Sequence, residues 1–356
     1  MAEETRLLTI VHISDLHFSD RQPGTGTDPS VPPLLARLPF LDGVLGHHRA
    51  ALSQLEKFYQ QVAEEQFLAV TGDLTANGGT GQRYMVDNFI SRPSQTIDPG
   101  LNETQWKDFG IYGNHDHWGG INWPFGGPTA GFATFFNQFP LVRGPLTLSN
   151  GIYLRFLLID TDADVGAYSK DRVLARGKFV SQLTHLGNLL PAHPDDNEIR
   201  VLLMHHSCMP GDPTAAPGTP SRMAPLEIDR GTRQVLDRFL VDYGIRVILC
   251  GHRHTPRLSH LTPTNGVETG TVFEARCGTT TQLDRYPNDV LSKINVQNRK
   301  LHPNSLILHR LVERSDGVYW RSEVYFRSPR HGGFIHHGRY SSAPALGTLT
   351  DEIRVL

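Results

Sequence analysis

Five short clusters in this 356-residue chain combine carboxylates, imidazoles and one amide. They are Asp15-Leu16-His17, Gly72-Asp73, Gly113-Asn114-His115-Asp116, His205 and Gly251-His252-Arg253-His254. The candidate metal ligands among them are Asp15, His17, Asp73, Asn114, His205, His252 and His254, a mixed nitrogen and oxygen set with no thiolate. Such a set suits Mn, Fe, Zn, Co or Ni ions better than calcium, which takes oxygen ligands only. Seven ligands suggest two divalent transition-metal ions. If Asp73 bridges them, each ion receives about four protein ligands and keeps positions open for water and substrate, as catalytic sites do.

The elements that must position these residues are legible in outline. Short apolar, β-branched runs at 7–13, 67–71, 109–112, 154–159, 201–204 and 247–250 predict buried strands. Each of the five clusters begins where one of these strands ends. In α/β sheets, ligands bind beyond the carboxyl ends of the strands, so residues distant in sequence are expected to meet there. Gly72, Gly113 and Gly251 each precede a candidate ligand where the chain must turn sharply off its strand. Between the strands, Leu52, Leu55, Tyr59 and Val62, then Phe179, Leu183, Leu186 and Leu190, then Val235, Phe239 and Tyr243, have helical spacing, and the alternation predicts an α/β fold.

After about residue 260 the helical period disappears. Runs at 306–312 and 318–326 flank Ser315-Asp316-Gly317, a hairpin turn signal. With no internal repeat and no long polar linker, the expectation is one domain over 1–356, the metal motifs lying within 7–255 and a strand-rich part at 256–356 completing the second sheet. Three segments rich in Gly and Pro, at 22–46, 118–128 and 209–225, read as loops that could wall a substrate cleft.

In their order and spacing the clusters resemble the signature of the calcineurin-like metallophosphoesterase superfamily: Asp-x-His, Gly-Asp, Gly-Asn-His-Asp/Glu, His, Gly-His-x-His. The resemblance covers about residues 7–255 and implies a four-layer α/β/β/α sandwich of two mixed sheets flanked by helices. It further implies that Asp15, His17, Asp73 and His254 hold one ion, that Asp73, Asn114, His205 and His252 hold the other, and that His115 is the proton donor. A water or hydroxide between two such ions has its pKa lowered towards about 7 and attacks phosphorus without a protein nucleophile. The departing alkoxide needs a proton, which His115 can supply, with Asp116 expected to orient it.

Within that superfamily, Gly72-Asp73-Leu74-Thr75-Ala76 lacks the Asp-Arg-Gly continuation of the serine/threonine phosphatases. It also has Ala76 where the purple acid phosphatases place a tyrosine ligand. Ser14-Asp15-Leu16-His17-Phe18 and Gly72-Asp73-Leu74-Thr75 are most similar to the bacterial cyclic-nucleotide phosphodiesterase type. The expected activity is therefore hydrolysis of a phosphodiester or phosphomonoester, the partner being a small phosphate-ester substrate.

Two alternatives are a two-metal nuclease and a non-catalytic metal-binding scaffold. Nucleic acid would need a basic groove, for which Arg321, Arg327, Arg330 and Arg339 are the candidates, but a net charge of −2 gives no global field towards it. Scaffolds usually lose ligands or the proton donor, and here all are retained. Arg253 is a candidate phosphate contact; His12, His117 and His206 read as packing or supporting groups, and His331, His336 and His337 as a solvated tail. Cys208, Cys250 and Cys277 form no Cys-x-x-Cys pair, the first residues are acidic, and no apolar run approaches the roughly 20 residues of a bilayer span. The expectation is a cytoplasmic protein with no membrane contact.

Overall fold

Period-two alternation along the strands sorts apolar side chains to opposite faces, and this sets the layers. In β1 (Thr5–Ile13), Leu8 and Ile10 enter one core cluster while Val11 and Ile13 enter another. The computed structural model describes residues 4–19, 46–62, 66–95, 98–119, 138–167, 169–209, 227–281, 304–328, 331–336 and 349–356.

A seven-stranded sheet joins β1 to β2 (Gln66–Thr71) and β3 (Gly110–Ile111) on one side. On the other side lie three strands from late in the chain, β10 (Ser305–Arg314), β11 (Gly317–Ser328) and β12 (Gly333–His336); β13 (Thr350–Arg354) also pairs with β11. The strands β1, β2 and β3 run parallel, and β10 is antiparallel to β1. A six-stranded sheet has the order β4 (Leu141–Thr147), β5 (Tyr153–Leu158), β6 (Glu198–Leu203), β7 (Ile245–Cys250), β9 (Val272–Arg276), β8 (Arg257–Leu261). Its β5, β6, β7 and β9 are parallel, with antiparallel β4 and β8 at the edges.

The two sheets pack face to face through Leu8, Ile10, Ile307, Leu311 and Trp320 on one side and Leu154, Phe156, Val201, Leu203, Val247 and Phe273 on the other. The outer face of the first sheet is covered by α1 (Arg49–Gln61) and α2 (Thr80–Ser91), which bury Leu52, Leu55, Phe58, Val86 and Phe89 against Val11, Leu68 and Leu306. The second is covered, after the one-turn α3 (Lys170–Val173), by α4 (Val180–Leu189) and α5 (Arg230–Asp242), with Leu183, Leu186, Leu236 and Phe239 against Leu157, Leu202 and Ile248. The fold is the four-layer α/β/β/α sandwich. His48 caps α1 by accepting from Ala50 N, and Asp229 caps α5 by accepting from Gly231 N and Thr232 N, so each helix starts where a side chain satisfies its first amides.

The strands after residue 256 divide between the sheets. β8 and β9 extend the six-stranded sheet, whereas the β10–β11 hairpin, turning at Ser315-Asp316, returns to pair with β1. Of the loops expected to wall a cleft, residues 22–45, 120–128 and 210–225 lie outside the described residues. Among the described residues no helix is long and apolar enough to cross a membrane.

One polar chain runs through the otherwise apolar layer between the sheets. The indole N–H of Trp320 donates to His309 Nδ1 (3.2 Å), His309 Nε2 faces His12 Nδ1 (3.2 Å), and His12 Nε2 faces Thr71 Oγ1 (2.8 Å). An indole nitrogen can only donate, so His309 Nδ1 is an acceptor and the ring carries its proton on Nε2. That proton reaches His12 Nδ1, which fixes the His12 proton on Nε2, pointed at Thr71. A further proton on either ring would set two N–H groups against each other. Burial accordingly pushes His12 down to about 3 and His309 well below the usual imidazole range.

Because the folded pKa of His12 lies below its unfolded value, the unfolded chain binds the extra proton between about pH 6.5 and 3, and stability is lost as pH falls through that window. We expect His12 alone to cost about 2 kcal/mol on going from pH 7 to pH 5. Urea unfolding at the two pH values should show His12→Gln losing less than the wild type by about that amount; parallel losses would contradict the neutral pair.

Candidate metal centre

Ser14 and Asp15 follow β1, Asp73 follows β2, and Asn114 follows β3, so the parallel half of the first sheet delivers its polar residues to one edge. His205 follows β6, and His252 and His254 follow β7, in the parallel part of the second sheet. The sheets stack with these edges together. Asp15, His17, Asp73 and His254 present ligand atoms that all lie within 4.8 Å of one another, and so do Asp73, His205 and His252; Asp73 belongs to both groups.

Asp15 Oδ1 is 3.1 Å from His254 Nε2, which lies 3.1 Å from His17 Nε2. Asp73 Oδ2 is 3.3 Å from His205 Nε2 and 3.9 Å from His17 Nε2. His205 Nε2 also faces Asn114 Oδ1 and His252 Nδ1, each at 3.2 Å. All seven candidate ligands therefore converge.

These contacts fit a cation better than they fit one another. Asp15 Oδ1 and Asp73 Oδ2 are buried carboxylate oxygens with no hydrogen-bond donor, a costly state unless a positive charge faces them. Burial, with the neighbouring imidazoles, holds His17 and His252 well below the usual histidine range, which leaves them neutral, the form that coordinates metal. Burial opposes ionisation of Asp73, but the His205, His115 and His17 rings outweigh it and hold this carboxyl well below the usual range. Burial likewise works against charge on His205, yet Asp73 and Asp15 push it up to about 10. The centre calls for positive charge, and its donors are those of a metal site.

Backbone conformation aims these side chains. Asp15 (φ 53°), His17 (φ 50°), Asp73 (φ 49°), His252 (φ 73°) and His254 (φ 55°) all occupy the left-handed region. The turns are pinned to one another: Asp15 N donates to Gly72 O and His17 N to Asp73 O, both at 3.0 Å, and His252 N donates to Asp15 Oδ2 at 3.1 Å. Gly72, at φ 92°, makes the sharp turn expected of it. Gly113 is needed for space instead, since a Cβ there would lie 2.2 Å from Asp73 Oδ1.

His115 heads a one-turn 3-10 helix, His115–Trp118. Its backbone N–H donates to Asp73 Oδ1 (2.9 Å), its Nδ1 donates to Ala76 O (2.9 Å), and its Nε2 is left 3.8 Å from Asp73 Oδ2. The group orienting His115 is thus the Ala76 carbonyl and not Asp116. Asp116 is fully buried and accepts from Leu74 N, Thr75 N, Thr75 Oγ1 and Gly113 N at 2.7–3.1 Å. It holds the turns on either side of Asp73 and Asn114, four donors that only a carboxylate could satisfy at once.

Several contributors escape a reading of sequence alone. Asp160, Thr161 and Asp162 leave β5 in the same way that the five clusters leave their strands. Asp160 Oδ1 pairs with His117 Nε2 at 3.0 Å, and Asp162 Oδ2 accepts from Arg172 at 3.1 Å. Burial opposes both charges of the first pair, but the contact raises His117 and lowers Asp160. His206 bonds Thr161 Oγ1 and Ala175 O, and its ring lies 4.1 Å from that of His252. Three threonine hydroxyls just beyond β9 brace the first turn: Thr279 donates to Asp15 O, Thr281 donates to Leu16 O, and Thr280 accepts from Ser14 N while donating to Ser305 O. Their signal was position after a strand, in residues too ordinary to stand out.

Arg253, between His252 and His254, is 3.8 Å from Glu227 Oε1, and its charge acts on both His252 and His206. Arg321 is tied to Glu4 and Glu352, and Arg327 bonds Gln54. Arg330, Arg339 and His337 are outside the described residues. His331 bonds Ser328 and His336 bonds Thr350.

Three substitutions test this construction. If Asp73 is shared between two cations, Asp73→Ala should bind neither while His252→Ala keeps about one per chain; elemental analysis after metal loading and desalting decides, and one full equivalent retained by Asp73→Ala would refute a shared ligand. Asp116→Ala strands four buried donors at about 1 kcal/mol or more each. Thermal unfolding should therefore show a loss of at least about 3 kcal/mol, with metal content falling alongside it.

No curated protein matches the chain. Among solved structures, a phosphopantetheinyl hydrolase (PptH) from Mycobacterium tuberculosis is similar at 13% identity, covering 77% of this chain and 91% of its own, with a TM-score of 0.36. Vps29 from Chaetomium thermophilum is similar at 12% identity, covering 97% of each chain, with a TM-score of 0.30. The family model for calcineurin-like phosphoesterase matches residues 8–256, a span that contains every residue of the centre, and the chain belongs to that family.

Proposed function

We propose that this chain hydrolyses a small phosphate ester, a phosphodiester in preference to a monoester, at a centre of two divalent transition-metal cations. Asp15, His17, Asp73 and His254 hold one cation, and Asp73, Asn114, His205 and His252 hold the second. The observation that carries the reading is the membership of Asp73 in two ligand groups at once. Cations bound there supply electrostatic attraction for the phosphoryl oxygens and lower the pKa of a water.

The chain's own groups then account for the rest of the chemistry. With Nδ1 committed to the Ala76 carbonyl, His115 can present only Nε2 to the reacting ester. From that atom it gives a proton to the departing oxygen. Asp116 keeps the turns bearing Asp73 and Asn114 in register without touching the transferred proton. Arg321 and Arg327 are already engaged by Glu4, Glu352 and Gln54, which favours a small ester over nucleic acid.

Assay of the metal-loaded protein on bis-p-nitrophenyl phosphate, p-nitrophenyl phosphate, cyclic AMP and single-stranded DNA tests the assignment. Turnover of the first should exceed that of the second, and no turnover of any would sink the hydrolase reading in favour of a scaffold. His115→Ala should keep its metal and lose on the order of 10²-fold in kcat on a phenyl ester, a poor leaving group. On the p-nitrophenyl ester, whose leaving group needs no acid, the loss should be much smaller. Equal losses on the two would remove His115 from the role of proton donor.

A further inference from the structure

We propose that Trp118 is a positioning residue for His115, holding the imidazole plane so that Nε2 points over the metal centre. The indole of Trp118 stacks on the His115 ring with centroids 3.9 Å apart and planes 29° from parallel. The edge of the His17 ring meets the same imidazole, centroids 4.7 Å apart at 76°. Trp118 is 3% exposed, so it is itself held in place, at the end of the 3-10 helix that His115 begins.

Three contacts therefore act on one ring. The hydrogen bond from Nδ1 to Ala76 O (2.9 Å) selects which nitrogen faces the centre but leaves the tilt of the plane soft, because rotation about the terminal torsion of a histidine is broad. Packing must supply that restraint. His17 limits the tilt from the metal side, and the flat face of the indole limits it from the other. Of the three, Trp118 alone can be replaced without disturbing a metal ligand or a main-chain group. A proton donor needs its acidic nitrogen held near the leaving oxygen, and a displacement of about 1 Å can cost on the order of 10²-fold in rate.

The inference rests on the proposed role of His115, and the test separates the two. In full-length protein labelled with ¹⁵N-histidine and loaded with zinc, long-range ¹H–¹⁵N spectra report the His115 tautomer and the ring-current shift from the indole. The wild type should show one sharp set of His115 ring signals in which Nδ1 carries a proton. Trp118→Leu should lose the ring-current shift and show mixed or broadened ring-nitrogen signals; an unchanged, sharp Nδ1-protonated signal in this variant would overturn the proposal whatever the activity.

In kinetics, Trp118→Leu should lower kcat on a phenyl phosphate diester by about tenfold or more with KM nearly unchanged. Its effect on the p-nitrophenyl diester should stay below about threefold. Trp118→Phe, which keeps a flat face, should recover most of the loss, and Trp118→Leu should add nothing in a His115→Ala background. Equal losses on both esters would contradict positioning. If Trp118→Leu does not fold, Trp118→Met, which keeps bulk without a flat face, takes its place. If the wild type turns over neither ester, the hydrolase reading fails and the spectra alone decide the role of Trp118.

Discussion

Five of the seven candidate ligands sit in backbone that most residues avoid, and the centre depends on that conformation being held. A left-handed residue costs on the order of 1 kcal/mol or more, so Asp15, His17, Asp73, His252 and His254 together approach the size of a domain's net stability. Such turns persist only where the surroundings fix them. Here they fix each other, through Asp15 N on Gly72 O, His17 N on Asp73 O and His252 N on Asp15 Oδ2. Aspartate and histidine are also among the few residue types enriched in this region of backbone space. Conformation and coordination chemistry thus select the same side chains, and the reversal that carries the chain off its strand also throws the ligand inward.

The rest of the sandwich keeps these turns opposite one another. Asp15 and Asp73 come from the first sheet, His205, His252 and His254 from the second, so a slip between the sheets would pull the ligand groups apart. Close packing of Leu8, Ile10 and Ile307 against Phe156, Val201 and Val247 opposes sliding without specifying a single register. Polar contacts supply what apolar packing lacks. The chain from Trp320 through His309 and His12 ends on Thr71, whose carbonyl receives the His205 imidazole at 2.6 Å, and Thr279 and Thr281 tie the exit of β9 to the turn bearing Asp15. Each joins the metal turns to a neighbouring strand by a bond with one acceptable geometry.

Much of this was legible in the sequence, for a physical reason. Parallel strands buried on both faces appear as unbroken apolar runs, and the polar residue that ends such a run must lie at the carboxyl edge of a sheet. That is why the seven candidate ligands, read as lying at strand ends, are found together at one edge of the two sheets. Reading by apolar runs hid α2, where Gly79, Thr80 and Gly81 open a twelve-residue helix whose buried face includes Gln82 and Arg83 beside Val86, Phe89 and Ile90, so the apolar stripe is too thin to read. The same logic could not show that β10 and β11 return to β1, because an antiparallel hairpin carries no mark of the sheet it will join. Asp116 was misread for a related reason: adjacency to His115 suggested contact, yet one step along a 3-10 turn sends successive side chains in different directions, and its carboxylate faces the backbone of Leu74 and Thr75 instead.

The short stretch from Gly113 to Trp118 concentrates what a hydrolytic centre requires. Asn114 supplies an oxygen beside His205, the His115 amide fixes one oxygen of Asp73 and so turns the other towards the ligand groups, and Asp116 binds the strand exits on either side together. His117 adds an ion pair to Asp160 at the end of β5, in the opposite sheet. A regular α-helix would spread these side chains around its axis, and an extended strand would alternate them across two faces. The tight 3-10 turn lets consecutive residues meet the first sheet, the ligand cluster and the second sheet in six positions. The His115 ring is thereby built into the same short turn as Asn114, while its approach to the ligands from other strands is set by hydrogen bonds and packing.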